Sequence, residues 1–356
     1  MTAQRILICL HDFSRGGTER IALGLAASWA QAGRDVTILC GSIEGGLRDR
    51  VDMRVKVEEL NPPVQRGFLS RLRLGRAMGK RVAALRPDII FLPGNFHLLL
   101  AKALRKADAR AIIVAKISNP PLPPAIPFAA TFFRHFTRAV DGFAAMNSGL
   151  ARELKILLPG RNIVTLHDPV YIRPGTAQSK RDGSLNIVWI GRLEPQKDPQ
   201  LALKTIQALG TAHLTMLGDG ALRQEVQRRV DAKGLKDRVR LTGYVPETES
   251  YLATADALLI TSHYEGGPAV AVEALALGVP VVSTDCSFLL HDLLKLPQAG
   301  QIVASRNPDD LAAALAAVCG QPRAPDALRT LAAPFEPESC ARAYLDWFDR
   351  LAAHHG

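Results

Sequence analysis

The sequence predicts an α/β protein made of two doubly wound parallel sheets, one after the other. Three observations carry that prediction. Strand-length apolar runs alternate with helix-length segments through residues 5–157, and the alternation starts again at 185. Between the halves lies PVYIRPGTAQSKRDGS (169–184), a polar stretch full of turn formers that reads as a linker. The length, 356 residues, suits two α/β domains. The expected division is 1–170, then 185–335, then an amphipathic tail over 336–356.

The elements follow in order. Strand 5–10 runs through the loop Asp12–Gly17 into helix 18–32, and strand 35–40 comes next. A long helix over 65–85 precedes strand 88–92, and helix 97–107 precedes strand 110–116. NPPLPPAIP (119–127) must be loop, because proline lacks the N–H that both ladders need. Helix 128–139, strand 141–145 and helix 148–157 complete the first half. The second half reads strand 185–190, helix 199–209, strand 212–217, helix 221–233, strand 238–242, helix 247–254 and strand 256–260. Helix 268–277, strands 279–283 and 301–303, and helix 308–319 end it.

Composition narrows the class. Hydrophobic content of 47% and charged content of 22% are those of an ordinary globular protein. No apolar run reaches the ~18–20 residues needed to cross a bilayer. The opening MTAQRILICLHDF ends in His11-Asp12 without a small-residue cleavage site, so strand alternation explains it better than a signal peptide does. The five cysteines are scattered without CxxC spacing and read as buried free thiols. The net charge of +10 is uneven: residues 1–168 hold 25 Lys/Arg against 13 Asp/Glu, and residues 169–356 hold 19 against 21. Residues 61–116 alone hold 12 basic and 2 acidic side chains. That asymmetry implies an anionic surface as partner. No nucleic-acid-binding motif is visible, which leaves the anionic face of a membrane.

The segment Glu265-Gly-Gly-Pro-Ala-Val-Ala-Val-Glu273 concentrates the chemistry. Pro268 suits the first helical position and Gly278 suits the stop, so Glu265 falls in a loop and Glu273 inside a helix. The helix is apolar nearly all round, which marks it as buried. A buried carboxylate is unfavourable by several kcal/mol unless paired. Its partner is either a ribose diol, whose two hydroxyls can donate to it, or a neighbouring Arg or Lys. Gly266 and Gly267 leave backbone N–H groups open at the positive end of the helix, where a phosphate can sit.

Two further segments have the same strand–loop–helix form. IVWIGRLEPQKD (187–198) places Arg192 and Lys197 just past a strand's carboxyl end, where open α/β sheets bind anions. LTMLGDGALR (214–223) is strand, glycine-rich turn, helix. Together with RILICLHDFSRGGTER at the start, TGYV (242–245) and the ALGVPVVSTD that follows Glu273, these motifs make the chain resemble the retaining glycosyltransferases of sequence family 4 over nearly its whole length. Each motif alone is weak, but their order and spacing are specific.

The resemblance implies the GT-B fold: two Rossmann-like domains facing a cleft, with the C-terminal helix crossing back to the first. It implies a nucleoside diphosphate sugar as donor. Arg192 and Lys197 would then hold the diphosphate, Glu265 the donor sugar and Glu273 the ribose. Gly16, Gly17, Gly191, Gly218, Gly220, Gly266 and Gly267 would let backbone approach the donor. No Asp-x-Asp motif is present, so no metal and no cofactor are expected. The family's usual histidine after the strand AIIVAKI is replaced here by Ser118-Asn119, and its hinge reads His167-Asp168-Pro169-Val170-Tyr171. Asn119 and His97 are the acceptor-side candidates. Glu19 and Arg20 suit local pairing in the first helical turn.

The stretch 64–87 places Phe68, Leu72, Met78, Val82 and Leu85 near one stripe, with Arg66, Arg73 and Lys80 seven apart on another face. Phe128, Phe132, Phe133 and Phe136 lie beside Arg134 and Arg138. The expectation is a cytoplasmic enzyme, peripheral at the inner face of the plasma membrane. It would move a hexose or N-acetylhexosamine to a glycan or lipid-linked glycan acceptor, and would not bind nucleic acid. The alternatives are an inactive nucleotide-sugar-binding partner of another transferase, or a same-fold epimerase or phosphorylase. A dinucleotide-dependent oxidoreductase is disfavoured, because neither GGTER nor GDGALR fits G-x-G-x-x-G.

Overall fold

A computed structural model describes residues 2–67, 70–120, 129–171 and 183–355. It divides into two compact units, 1–169 with 337–356, and 170–336. The linker expected at 169–184 and the residues Phe68 and Phe128 fall largely or wholly outside the described residues, as does the side chain of Phe132.

The first unit carries β1 (Arg5–Leu10), α1 (Gly17–Gln31), β2 (Asp35–Cys40), β3 (Lys56–Glu59), α2 (Ser70–Leu85), β4 (Ile89–Leu92), α3 (Ala101–Ala107), β5 (Ile112–Ile117), α4 (Ala129–Thr137), β6 (Gly142–Ala145), α5 (Ser148–Leu157) and β7 (Asn162–Thr165). Its parallel sheet has the order β3-β2-β1-β4-β5-β6-β7. Side chains alternate across it: Ile6, Ile8 and Leu10 enter one buried cluster, Leu7 and Cys9 the other. A sheet buried on both faces needs apolar runs rather than alternation, and β1 has one.

The second unit carries β8 (Asn186–Ile190), α6 (Pro199–Leu209), β9 (His213–Leu217), α7 (Arg223–Ala232), β10 (Val239–Gly243), α8 (Glu249–Ala253), β11 (Ala257–Ile260), α9 (Ala269–Ala276), β12 (Val281–Thr284), α10 (Phe288–Leu293), β13 (Gly300–Val303), α11 (Pro308–Cys319) and α12 (Pro325–Ala332). The sheet order is β10-β9-β8-β11-β12-β13, again parallel. Each sheet reverses its strand order once, between β1 and β4 and between β8 and β11. Those two points are where doubly wound sheets bind ligands.

The tail is one helix, α13 (Pro337–His355), and it belongs to the first unit. It is held there by aromatic packing. Trp29 of α1 meets Phe348 with ring centroids 5.2 Å apart and Tyr344 at 5.7 Å, and Phe91 of β4 meets both. Such pairs each contribute roughly 0.5–1.5 kcal/mol beyond their buried area. The Arg34–Asp349 ion pair (2.7 Å) and the bond from Trp347 Nε1 to Asn162 Oδ1 (3.0 Å) fix its rotation.

Four elements escaped the sequence reading: β3, β7, α10 and α12. The two strands are four-residue edge pieces of mixed polarity, and the helices span only six and eight residues, too little chain for a sequence window to single out. The five cysteines are free and buried, as their spacing predicts.

Candidate functional site

The site is built most fully in the second unit, on the two loops that leave its switch point. The first loop, Gly191–Asp198, follows β8. The second, Thr261–Gly267, follows β11. They are stitched together by backbone and side chain. His263 N–H donates to the Gln196 carbonyl (2.8 Å), and Gln196 Nε2 donates to the Tyr264 carbonyl (3.0 Å). Thr261 Oγ1 donates to the carbonyls of Lys197 and Asp198 (2.9 Å each), and Trp189 Nε1 donates to it (2.9 Å).

Lys197 Nζ and the Glu265 carboxylate form an ion pair, and Ser262 Oγ donates to the same Glu265 oxygen (2.7 Å). Glu265 N–H donates to the Cys286 carbonyl (2.8 Å). Arg192 is exposed and pairs with Glu194 (2.8 Å). So the structure brings Lys197 and Glu265 together, with Arg192 on the same loop as Lys197.

Past Gly266 and Gly267 the chain enters α9, one residue later than the sequence suggested. Pro268 is the cap and Ala269 the first helical residue. Proline has no side-chain acceptor, so no cap bond closes the first turn. Gly278 stands at φ +78 just past the helix, the left-handed stop that glycine takes without strain.

Glu273 is half-buried on α9. Among the described residues no cation pairs with it; Thr248 Oγ1 donates to Oε2 at 3.3 Å. Burial raises its pKa, the Thr248 bond offsets part of that, and the charge of Glu249 adds to it. Of the two partners open to Glu273 from sequence, an Arg or Lys is absent among the described residues.

The glycines of the GDG turn answer to the chain itself. A Cβ on Gly218 (φ +133) would run into the Gly191 carbonyl, and one on Gly220 would meet the backbone of Leu193. Leu193 N–H donates to the Asp219 carbonyl (2.9 Å) and Gly191 N–H to that of Leu217 (3.0 Å). The turn therefore presses on the Arg192 loop and holds it.

At the switch point of the first unit the structure departs from expectation. Arg66 does not share an exposed face with Arg73 and Lys80. It precedes α2, which begins at Ser70, and its guanidinium turns inward to the carboxylates of Asp12 and Glu19 (2.8 Å to Glu19). Two buried carboxylates draw it in, since neither could be left unpaired. Glu19 thus pairs 47 residues away rather than with Arg20. Its carboxylate also lies where a Cβ on Gly16 would be, so a side chain there would make Glu19 shift, while Gly17 has open space. Burial would raise Asp12, but bonds from Arg66 and Ser14 hold it at about 2.

His97 lies in a 3-10 turn (Asn95–Leu100) after β4, not at a helix start, and is buried. Burial, then the charges of Arg66 and His11, push its pKa down to about 4. Among the described residues its Nδ1 has no partner, nor has Nε2 of His11, which follows β1. Asn119 is exposed and gives its carbonyl to Asn95 Nδ2 (2.9 Å). Lys116, buried on β5, pairs with Asp168 of the hinge (2.9 Å) and donates to Ser118 Oγ (2.6 Å).

Sequence reasoning missed Asp198, Ser262, Thr248, His11 and Arg306. Asp198 caps α6 (3.1 Å to Leu201 N–H), a signal its position before Pro199 carried. Arg306 offered none, since its partner Asp198 lies 108 residues away.

Comparison with known proteins agrees with this architecture. Residues 176–332 match the family model described as glycosyl transferases group 1, and residues 16–167 match the glycosyl transferase 4-like domain. The lipopolysaccharide core biosynthesis glycosyltransferase LpsD of Rhizobium meliloti is 24% identical over 97% of this chain and 98% of its own length. The lipopolysaccharide 1,6-galactosyltransferase of Escherichia coli is 25% identical over 70% and 69%. Among solved structures, the lipopolysaccharide outer core galactosyltransferase WaaB superposes with TM-score 0.79 at 18% identity, over 98% of this chain and 99% of that one. Anabaena HepE in complex with UDP follows at 0.73 and 17%, over 98% of each. These likenesses show the GT-B fold. With family models matched through both halves and the motif-bearing loops at the switch point, the chain belongs to the group 1 glycosyl transferases.

Proposed function

We propose that this glycosyltransferase moves a hexose or N-acetylhexosamine from a nucleoside diphosphate sugar to a glycan or lipid-linked glycan, with retention, in cell-envelope polysaccharide or glycolipid synthesis. One observation carries the reading. A loop bearing two cations and a loop bearing a carboxylate and two glycines meet at one switch point, and the second leads into a helix whose first turn is uncapped.

Glycosyl transfer leaves a diphosphate, so the demand is for positive charge at the leaving group and for positioning. Lys197, Arg192 and the N–H groups opening α9 answer the first demand without a metal. An arriving diphosphate competes with Glu265 for Lys197 and with Glu194 for Arg192. Glu265, released, is left to accept from the donor sugar's hydroxyls. Glu273 accepts from the ribose, which gives its half-buried carboxylate the donors it lacks. Gly191, Gly218 and Gly220 serve through the shape of the loop that carries Arg192. Gly16 and Gly17, after β1, keep their place on the donor side, where backbone can approach the phosphates; the acceptor-side residues are His97, after β4, and Asn119, after β5. At about 4, His97 is neutral at physiological pH and suits hydrogen bonding to an acceptor better than proton abstraction.

Retention rests on the likeness to family 4. The names of the relatives support an acceptor of the lipopolysaccharide-core kind, and the complexes of HepE support a uridine diphosphate donor. The test is turnover of a panel of UDP- and GDP-sugars by wild type and by Arg192→Ala and Lys197→Ala. Each variant is expected to lose ~10²–10³ in rate, and EDTA to change nothing. Near-normal rates in both variants sink the diphosphate role, and loss with EDTA that magnesium restores sinks the metal-free one.

A further inference from the structure

Arg306 lies just past β13, in the loop that leads into α11; β13 is two places from β11 in the sheet. Its guanidinium reaches across to both loops of the donor site. Nη1 donates to the Ser262 carbonyl (3.0 Å), and Nη2 donates to the Thr261 carbonyl (2.8 Å) and to Asp198 Oδ2 (2.6 Å). Ser262 and Thr261 open the loop that carries Glu265. Asp198 closes the loop that carries Lys197. One rigid, planar fork therefore spans the two loops, and no ammonium could make the same three bonds in that plane.

A second observation shows that this junction is under constraint. Asp198 is one of two non-glycine residues among those described with positive φ, at +46. A side chain in the left-handed region persists only where its surroundings over-determine it. Here the surroundings are the cap bond to Leu201 N–H, the bond from Thr261 Oγ1 to the Asp198 carbonyl, and Arg306 on the carboxylate. His263 Nε2 also stands 3.6 Å from that carboxylate. Arg306 further keeps the Asp198 charge engaged, so that it does not compete for the ammonium of Lys197 next to it in sequence.

We propose that Arg306 is a positioning residue for glycosyl transfer: it locks the Lys197 loop and the Glu265 loop in one register through Asp198, Thr261 and Ser262. The proposal rests on the assignment of Lys197 to the donor diphosphate. A loop shift of about 1 Å is enough to lower turnover by ~10²-fold.

The experiment uses Arg306→Ala, Arg306→Lys and Lys197→Ala in the full chain. UDP and uridine are titrated by calorimetry, GDP and guanosine in parallel, and sugar release from the accepted donor is timed. Arg306→Ala is expected to weaken the diphosphate at least tenfold while leaving the bare nucleoside within twofold, and to lower turnover ~10- to 100-fold. Methylguanidinium at sub-denaturing concentration is expected to restore part of that rate, and Arg306→Lys to restore little. A merely structural role would weaken nucleoside and diphosphate alike and would not respond to methylguanidinium. That outcome, or normal diphosphate binding and turnover in Arg306→Ala beside a crippled Lys197→Ala, overturns the proposal alone. Normal behaviour in both Arg306→Ala and Lys197→Ala overturns the diphosphate assignment with it. If Arg306→Ala does not fold, Arg306→Lys beside Asp198→Asn carries the comparison, and unaltered UDP affinity in both overturns the proposal.

Discussion

Glu273 stands half-buried with one hydroxyl donor among the described residues, and its pKa is raised by burial above the ordinary carboxylate value. Between the ordinary and raised values the native chain binds more protons than the unfolded one. The stability this group contributes is full below the ordinary value and lost as pH rises through the raised one. Above the raised value the ionised carboxylate is therefore a liability to the fold. Glu273→Gln is expected to raise the melting temperature while weakening UDP or GDP roughly 10- to 100-fold, since a bond to a charged group is worth ~1.5–3 kcal/mol. Calorimetric melting and titration of the same variant check both signs. A lower melting temperature contradicts the desolvation argument. His97 shows the opposite case. Its folded pKa of about 4 lies below the ordinary 6.5, so the unfolded chain binds more protons between those values and stability falls as pH drops through that window. About 2 kcal/mol should be lost between pH 7.5 and pH 5 from this group, by ~1.4 kcal/mol per pH unit. Urea unfolding at the two pH values should show a smaller difference in His97→Gln than in wild type, and an equal one would place the titration elsewhere.

The elements around the loops after β8 and β11 are held by backbone contact as much as by side chains. The GDG turn after β9 lies against the Arg192 loop so closely that Gly218 leaves no room for a methyl group, and its φ of +133 disfavours any other residue. Gly218→Ala is expected to destabilise the second unit by ~1–3 kcal/mol and to lower turnover with it. Gly17→Ala is the contrasting substitution. It sits at the first position of α1 in open space, so stability should hold or rise by up to ~1 kcal/mol. Denaturant midpoints for the two variants check the contrast, and a neutral Gly218→Ala would show that the turn can retreat. In α2 the exposed basic stripe is Arg73, Arg76 and Lys80, one face of the helix, while Leu74, Met78 and Val82 enter the core. Arg71 lies over the Phe96 ring at 3.2 Å, with Phe96 and Leu72 both exposed.

At the scale of the whole molecule the charge is divided: the first 168 residues carry the excess of base and the rest a slight excess of acid. No helix among the described residues is long and apolar enough to cross a membrane. The basic stripe of α2, with Leu72 and Phe96 beside it, suits contact with anionic headgroups. Replacing Arg73, Arg76 and Lys80 together by Gln should remove roughly 3 kcal/mol of attraction to anionic vesicles at low salt. Because exposed charges are screened within about 10 Å at 0.1 M, salt should reverse the binding of wild type. Co-sedimentation with and without anionic lipid measures it. Equal sedimentation of variant and wild type would move the contact to another surface, and none at low salt would leave the stripe merely solvated.

Much of this was legible without coordinates. The apolar runs of β1, β8 and β11, the glycine turns behind them and Pro268 before α9 are local signals, and local signals determine element type and order. Because both sheets are doubly wound, the order also places Lys197 and Glu265 past strand ends. Two kinds of fact were not legible. Short polar edge strands such as β3 have no period to detect, so their existence depends on a neighbour to pair with. And the pairing of distant charges follows from what burial leaves unsatisfied. Arg66 looked like one tooth of a basic helix face until Asp12 and Glu19 drew it inward. Arg306 looked like any loop arginine until the sheet brought Asp198 beside it. Sequence by itself determined the fold and the strand-end loops that carry Lys197 and Glu265, because periodicity and turn chemistry are written along the chain. Only the tertiary structure decided which charges hold those loops, because a partly buried ion pair is chosen by desolvation and distance across the fold, and neither is a property of neighbours in sequence.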